Sequence, residues 1–218
     1  MKIVIPTCDK YSHFVPGNIH CIRKYWKDCP YDIVVLTGKK LIPVSTAEIV
    51  YLGDDMQYGT NLLRFLKNHY NDKEILIWLD DYYLVNVDRS IVSAAHELTS
   101  TGKVDGVRLS KQYTPQGEAI YEEDKRFVFV NKIEQYSFSQ QATIWNTNAF
   151  TRLLCDGEDP WETELNGSGR IKHGAVSVGD IVGVTVEALQ YCNMCHLRTL
   201  DHDSVIWYME SVAETLNV

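Results

Sequence analysis

Residues 74–79 read EILIWL, and the next two residues are Asp80 and Asp81. An unbroken apolar run has no polar face to offer water, so as a strand it belongs inside a sheet covered on both sides. Whatever follows such a strand emerges at its carboxyl end, where open parallel sheets bind ligands. Two neighbouring carboxylates at that point repel each other and resist leaving water. A divalent cation relieves both costs. Hard oxygen donors suit Mg²⁺ or Mn²⁺, and Mg²⁺ is usually held by one or two carboxylates together with substrate phosphates. The competing reading is an ordinary acidic turn, a place where Asp is common.

The rest of the chain supports a sheet of this kind. KIVI (2–5), DIVVLTG (32–38), EIVYLG (48–53), VDGVRL (104–109), FVFVNK (127–132) and ATIWN (142–146) read as strands. Apolar spacing at Ile19, Ile22, Tyr25 and Trp26 predicts a helix over 17–27, ended by Cys29-Pro30. Thr60 is the expected cap of a helix over NLLRFLKNHY, and Ser90 of one over IVSAAHELTS. TNAFTRLLCDG (147–157) reads as a helix closed by glycine, while VTVEALQYCNMCHL (184–197) has mixed signals and no assignment. The alternation predicts an α/β fold, Rossmann-like, with a sheet parallel in its first half. With 218 residues and no linker-like stretch, a single domain over 1–218 is expected.

Composition excludes some functions. A net charge of −8 argues against a general affinity for nucleic acid or anionic membrane. No apolar stretch approaches the roughly 20 residues of a membrane span. The N-terminal MKIVIPTCDKYS is too short for a signal peptide and reads as a first strand, so a cytoplasmic protein is expected. The cysteines at 8, 21, 29, 155, 192 and 195 are then expected as reduced thiols. CNMCH (192–196) matches a haem-attachment pattern, and Cys192, Cys195, His196 and His202 are loosely spaced for zinc. A buried thiol pair is the simpler reading of both.

Five stretches then occur in a fixed order: TCDKYS (7–12), KYWKDCPY (24–31), WLDDYYL (78–84), SFSQQATIWN (137–146) and GEDPWETELNGSGR (157–170). Together they resemble a family of bacterial and viral sugar transferases with the GT-A fold, over roughly residues 1–170. The resembled motifs read TCDKYS, KYWPDCPY, an acidic DD-aromatic motif, YSLQAAIW and ENPWEFE–GS. The resemblance implies a nucleotide-sugar donor, a UDP-sugar first among them, and a divalent metal, Mn²⁺ or Mg²⁺. It implies a nucleotide-binding half over 1–100 and, over 101–218, an acceptor half with a C-terminal extension.

Roles follow from the matched positions. Asp81 is expected as the direct metal ligand, and Asp80 as a second ligand or a ribose partner. Thr7, Asp9, Lys10 and Tyr11 match the first motif and are expected around base and ribose, with Asp9 accepting from a base N–H and Tyr11 stacking. Asp54 and Asp55, after the third strand, are further base-contact candidates. FSQQATIW stands where the motif has YSLQAAIW, so Ser139, Gln140, Gln141 and Ala142 align with S-L-Q-A, and Gln141 approaches the donor sugar. Trp145 reads as core. If the reaction inverts the sugar, Glu162 or Glu164 is the base that takes the acceptor's proton, the two pointing the same way if the segment is a strand. Trp161 and Tyr58 are expected on the acceptor side, Tyr58 standing where relatives carry a nearby tryptophan. Gly167, Ser168, Gly169 and Arg170 read as a mobile loop that closes over the donor, with Arg170 and Lys172 clamping the diphosphate. His173, His196 and His202 are candidates to complete a metal shell.

The acceptor stays open at this point: a cell-surface glycan, or hydroxymethylated bases in DNA, as in phage DNA modification, with Arg23, Lys24, Lys27, Lys39, Lys40, Lys125 and Arg126 as a local basic face. A non-catalytic nucleotide- or sugar-binding module is the reading from another class. A phosphatase-like hydrolase on the aspartate pair ranks last, for want of further ligand-rich motifs.

Overall fold

The computed structural model describes residues 1–54, 57–111 and 119–193. Eight strands form one sheet: β1 (Lys2–Pro6), β2 (Asp32–Thr37), β3 (Glu48–Tyr51), β4 (Glu74–Ile77), β6 (Gly106–Arg108), β7 (Phe127–Phe129), β8 (Thr143–Asn146) and β9 (Ile181–Val184). Their spatial order is β3-β2-β1-β4-β8-β6-β9-β7. The β3-β2-β1-β4 half is parallel throughout. β8 and β7 are the two strands that run against the others. A separate two-stranded antiparallel sheet joins β5 (Tyr82–Val87) to β10 (Leu189–Asn193).

Period-two alternation divides the core. Ile3, Ile5, Ile33 and Val35 face one layer, with α1 (Val15–Tyr25) and α3 (Arg89–Ser100). Val4, Val34 and Leu36 face the other, with α2 (Tyr58–His69), α4 (Thr147–Leu153) and α5 (Pro160–Lys172). Each fully buried aliphatic side chain in these layers contributes about 1.5–3 kcal/mol. The architecture is the expected three-layer α/β sheet, mostly parallel.

Two helix starts differ from expectation. α3 begins one residue before Ser90, and its cap is Asp88, which accepts from the N–H groups of Ser90 and Ile91 at 3.0 and 3.2 Å. α2 starts at Tyr58, two residues ahead of Thr60. The Thr60 hydroxyl instead donates to Asp156 at 2.6 Å and accepts from Gly157 N–H at 3.0 Å, tying α2 to the loop before α5. The unassigned stretch after 184 contains β10.

The segment expected as a mobile loop is the end of α5. Asp159 and Glu162 close a capping box, and Pro160 occupies the first turn. Gly167 lies inside this helix because the Phe138 ring packs onto it: a Cβ there would meet Phe138 Cδ1 at 2.3 Å. Its role is close approach rather than flexibility. Among the described residues no helix is long and apolar enough to cross a membrane. No disulfide joins Cys8, Cys21, Cys29, Cys155 and Cys192.

Candidate active site

A cavity of about 1150 Å³ opens at the carboxyl ends of β1 and β4. Thr7, Lys10 and Tyr11 enter it from the segment after β1, Tyr58 and Asn61 from α2, and Asp80 and Asp81 from the turn after β4. Gln140 and Gln141, ahead of β8, and Trp161 and Glu164, on α5, complete the far wall.

The aspartate turn is held from below. Asn18, fully buried on α1, directs its side-chain N–H groups at the carbonyls of Leu79, Asp80 and Tyr82, at 2.9, 2.9 and 3.0 Å. Its own Oδ1 accepts from the Trp78 indole N–H at 3.1 Å. Trp78 continues the sheet by donating its backbone N–H to Val4 at 3.0 Å. The turn is thereby fixed to both strand and helix, and the two carboxylates project into the cavity. Thr7 Oγ1 donates to Asp80 Oδ2 at 2.5 Å. Burial, then the charge of Asp81, push Asp80 up to about 7 against the pull of that hydrogen bond. Burial pushes Asp81 up to about 6. Paired carboxylates so placed carry a standing electrostatic cost that a cation would remove. Lys10 is the cavity's one cationic side chain among the described residues. No third Asp, Glu, His or Cys joins the pair in a metal-binding cluster among the described residues. The donor set present thus fits an ion that keeps most of its coordination for phosphate and water, as Mg²⁺ does.

Glu162 and Glu164 lie on a helix and separate, contrary to the strand expectation. Glu162 is exposed, and its carboxylate accepts from the Asp159 backbone N–H at 3.0 Å, outside the cavity. Glu164 is buried and lines the cavity. Its Oε1 accepts from the Gln140 backbone N–H at 2.6 Å and lies 3.2 Å from Ser139 Oγ, a donor to it. Burial nevertheless raises the pKa of Glu164, outweighing those hydrogen bonds.

Arg170 faces away from the cavity. It grips Glu158 through both terminal nitrogens at 2.8 Å and donates to the Leu153 carbonyl. The expected diphosphate clamp is therefore a structural pair joining α5 to the end of α4, and Lys172 is exposed at the last turn of the helix.

Asp9 is committed to the chain: its Oδ1 accepts from the backbone N–H groups of Lys39 and Lys40, both at 3.0 Å, and it does not line the cavity. Asp54 is exposed, ion-paired with Lys39, and also outside the cavity. Asp55 lies outside the described residues. Tyr11 is half-buried in the wall with the Lys10 ammonium 4.9 Å from its ring centre. Gln141 is half-buried in the same wall, and Trp161 is 58% exposed at its rim. Trp145 is core, its indole N–H donating to Ser139 O at 2.9 Å. His173 is exposed, and Cys195, His196 and His202 lie outside the described residues, as does most of the CNMCH stretch.

The sequence pattern assigns no role to two contributors. Asn18 is the fourth residue of α1 and fully buried; in the helix expected over 17–27 it stands near the start, where a short amide is unremarkable. Gln140 is 2% exposed, a burial that a long amide rarely has.

No family model matches this chain, and no curated protein matches it significantly. Solved structures share its fold. TarS of S. aureus superposes with a TM-score of 0.61 at 14% identity, over 100% of this chain and 43% of TarS. An active-site mutant of LgtC gives 0.54 at 10% identity, over 98% of this chain and 96% of the other. The 2-C-methyl-D-erythritol 4-phosphate cytidylyltransferase of Thermus thermophilus gives 0.54 at 13% identity, covering 97% and 98%. This chain thus spans less than half of the TarS chain. These likenesses establish a GT-A-like fold.

Proposed function

We propose that this protein is a glycosyltransferase that moves a sugar from a nucleoside-diphosphate donor to a hydroxyl acceptor with the help of a divalent cation. The observation that carries the reading is the pair of half-buried, mutually repelling carboxylates, Asp80 and Asp81, at the floor of a large cavity at the carboxyl end of the central strand. TarS, one of the similar folds, has been crystallised with UDP and with UDP-GlcNAc, which favours a uridine donor here.

Asp81, with Asp80 beside it, would hold Mn²⁺ or Mg²⁺, which when bound neutralises charge developing on the departing diphosphate. Thr7 keeps Asp80 oriented, and Tyr11 offers a face to the base. Glu164 accepts the acceptor hydroxyl's proton as its oxygen bonds to the anomeric carbon and the nucleoside diphosphate leaves. A buried carboxylate with a raised pKa is better matched to that proton than an exposed one. Trp161, at the rim, offers an apolar face to an acceptor ring. On this reading residues 1–100 bind the nucleotide and 101–218 serve the acceptor within one domain.

The fold is shared with a cytidylyltransferase, so chemistry has to decide. A nucleoside triphosphate brings more negative charge than a diphosphate sugar, and against its three carboxylates the described cavity wall sets Lys10, with Arg108 outside the wall acting on Glu164. That balance favours glycosyl transfer. The proposed DNA-binding face is weakened because Lys39 and Arg126 are ion-paired with Asp54 and Asp124. A glycan acceptor is the better fit.

The test is to incubate the protein with Mn²⁺ and a panel of nucleotide-sugars, with glycan or hydroxymethylated-DNA acceptors, and to measure released nucleoside diphosphate. Release with a glycan acceptor supports the reading. Binding without any turnover points to a non-catalytic module, and steeply salt-dependent turnover on DNA points to the DNA enzyme.

A further inference from the structure

Two polar side chains in the cavity wall have no task in the reaction described so far. Gln140 is 2% exposed, and neither its Nε2 nor its Oε1 has a hydrogen-bond partner. The Tyr58 hydroxyl, at the start of α2, is likewise buried without a partner. Both residues line the cavity. Buried amides and hydroxyls are nearly always satisfied, so three orphaned atoms lining one cavity require an explanation.

The two residues share their surroundings: Glu164 holds the Gln140 backbone N–H at 2.6 Å, and the charges of Glu164 and Asp80 add to burial in keeping the Tyr58 hydroxyl protonated.

The chemistry of these atoms narrows what they take. A carboxamide presents an acceptor and a donor on adjacent atoms, and a protonated phenol adds a donor that also accepts. Two neighbouring hydroxyls on a ring match that set, because each both donates and accepts. We propose that Tyr58 and Gln140 form a hydroxyl-reading subsite for a vicinal diol on the transferred sugar. The inference rests on the cavity being a nucleotide-sugar site, and it adds the feature of the sugar that this chain selects.

The experiment measures the affinity of wild type, Tyr58→Phe and Gln140→Leu for UDP, UDP-glucose, UDP-galactose and UDP-GlcNAc with Mn²⁺, then for deoxy analogues of the tightest donor. In wild type, removing either hydroxyl of one adjacent pair should weaken binding about 10- to 100-fold. Gln140→Leu should lose most of that discrimination while binding UDP within about twofold of wild type, and Tyr58→Phe should lose part of it. Equal binding of every deoxy analogue by wild type overturns the subsite, and that measurement needs no variant to fold. Equal loss of UDP and UDP-sugar affinity in the variants overturns it too, by moving both residues to the nucleotide. Failure of wild type to bind any nucleoside diphosphate with Mn²⁺ removes the underlying nucleotide-sugar reading, and the subsite with it.

Discussion

Asn18 and Asp80 are 62 residues apart in sequence, yet the Asn18 side-chain amide donates to the Asp80 carbonyl at 2.9 Å from inside the core. The acidic turn is thus held by a helix that packs against the chain on either side of it. Replacing Asn18 with Ala strips partners from the carbonyls of Leu79 and Asp80 and from part of the Trp78 and Tyr82 pairing. Unsatisfied buried groups cost about 1–3 kcal/mol each, so chemical denaturation should show a loss of roughly 2–4 kcal/mol. Mn²⁺ affinity should fall with it, because the carboxylates lose their fixed aim.

Asp81→Ala should abolish sugar transfer, with kcat/KM falling by about 10³ or more, the scale of a lost electrostatic group at the leaving charge. The fold should survive, as judged by circular dichroism and an unshifted or higher Tm. Unchanged turnover would sink the metal assignment.

The folded pKa values of Asp80 and Asp81, raised to about 7 and about 6, lie above the unfolded value near 4. A raised acid favours the folded state only while protonated. Its stabilising contribution is full below about pH 4 and is lost as pH climbs to about 7. Metal-free protein should therefore lose stability through that window, while Asp81→Asn should be flatter and, at pH 8, more stable by roughly 1–2 kcal/mol. Protons and metal compete for the pair, so the Mn²⁺-induced rise in Tm should grow from pH 5 to pH 8.

Glu162 and Glu164 should separate cleanly. Glu164→Gln preserves an acceptor for the Gln140 N–H and should fold, yet lose about 10²–10⁴ in kcat and with it the acidic limb of the pH profile. Glu162→Ala should cost about 0.5–2 kcal/mol through the lost capping box and leave kcat unchanged.

Arg170→Ala should destabilise by about 2–4 kcal/mol, since Glu158 is left buried without its guanidinium. Donor KM should be unaffected. A raised KM at unchanged stability would restore the diphosphate clamp.

Much of the frame was readable from pattern. β-branched runs located the parallel strands, and the run into Asp80 and Asp81 located the mouth of the cavity. Local signals misled where a stronger partner lay a few residues away. Ser90 resembles a helix cap, but Asp88 already satisfies the same N–H groups. The GSGR stretch resembles a loop until the Asp159–Glu162 capping box is noticed, and until Phe138 supplies the reason for Gly167.

Sequence by itself determined the strands β1 to β4 and β6 to β8, the burial of β4 on both faces and the two carboxylates that follow it, because hydrophobic periodicity and strand polarity are local properties of the chain; β5, β9 and β10 went unread. Only the tertiary structure decided which carboxylate of α5 meets the cavity, that Arg170 turns to Glu158, and that Gln140 and Tyr58 are buried polar groups in its wall. Those outcomes depend on which side chains reach one another across long stretches of intervening chain. Hydrogen-bond satisfaction and desolvation at such contacts are properties of the packed molecule, and no short stretch of sequence carries them.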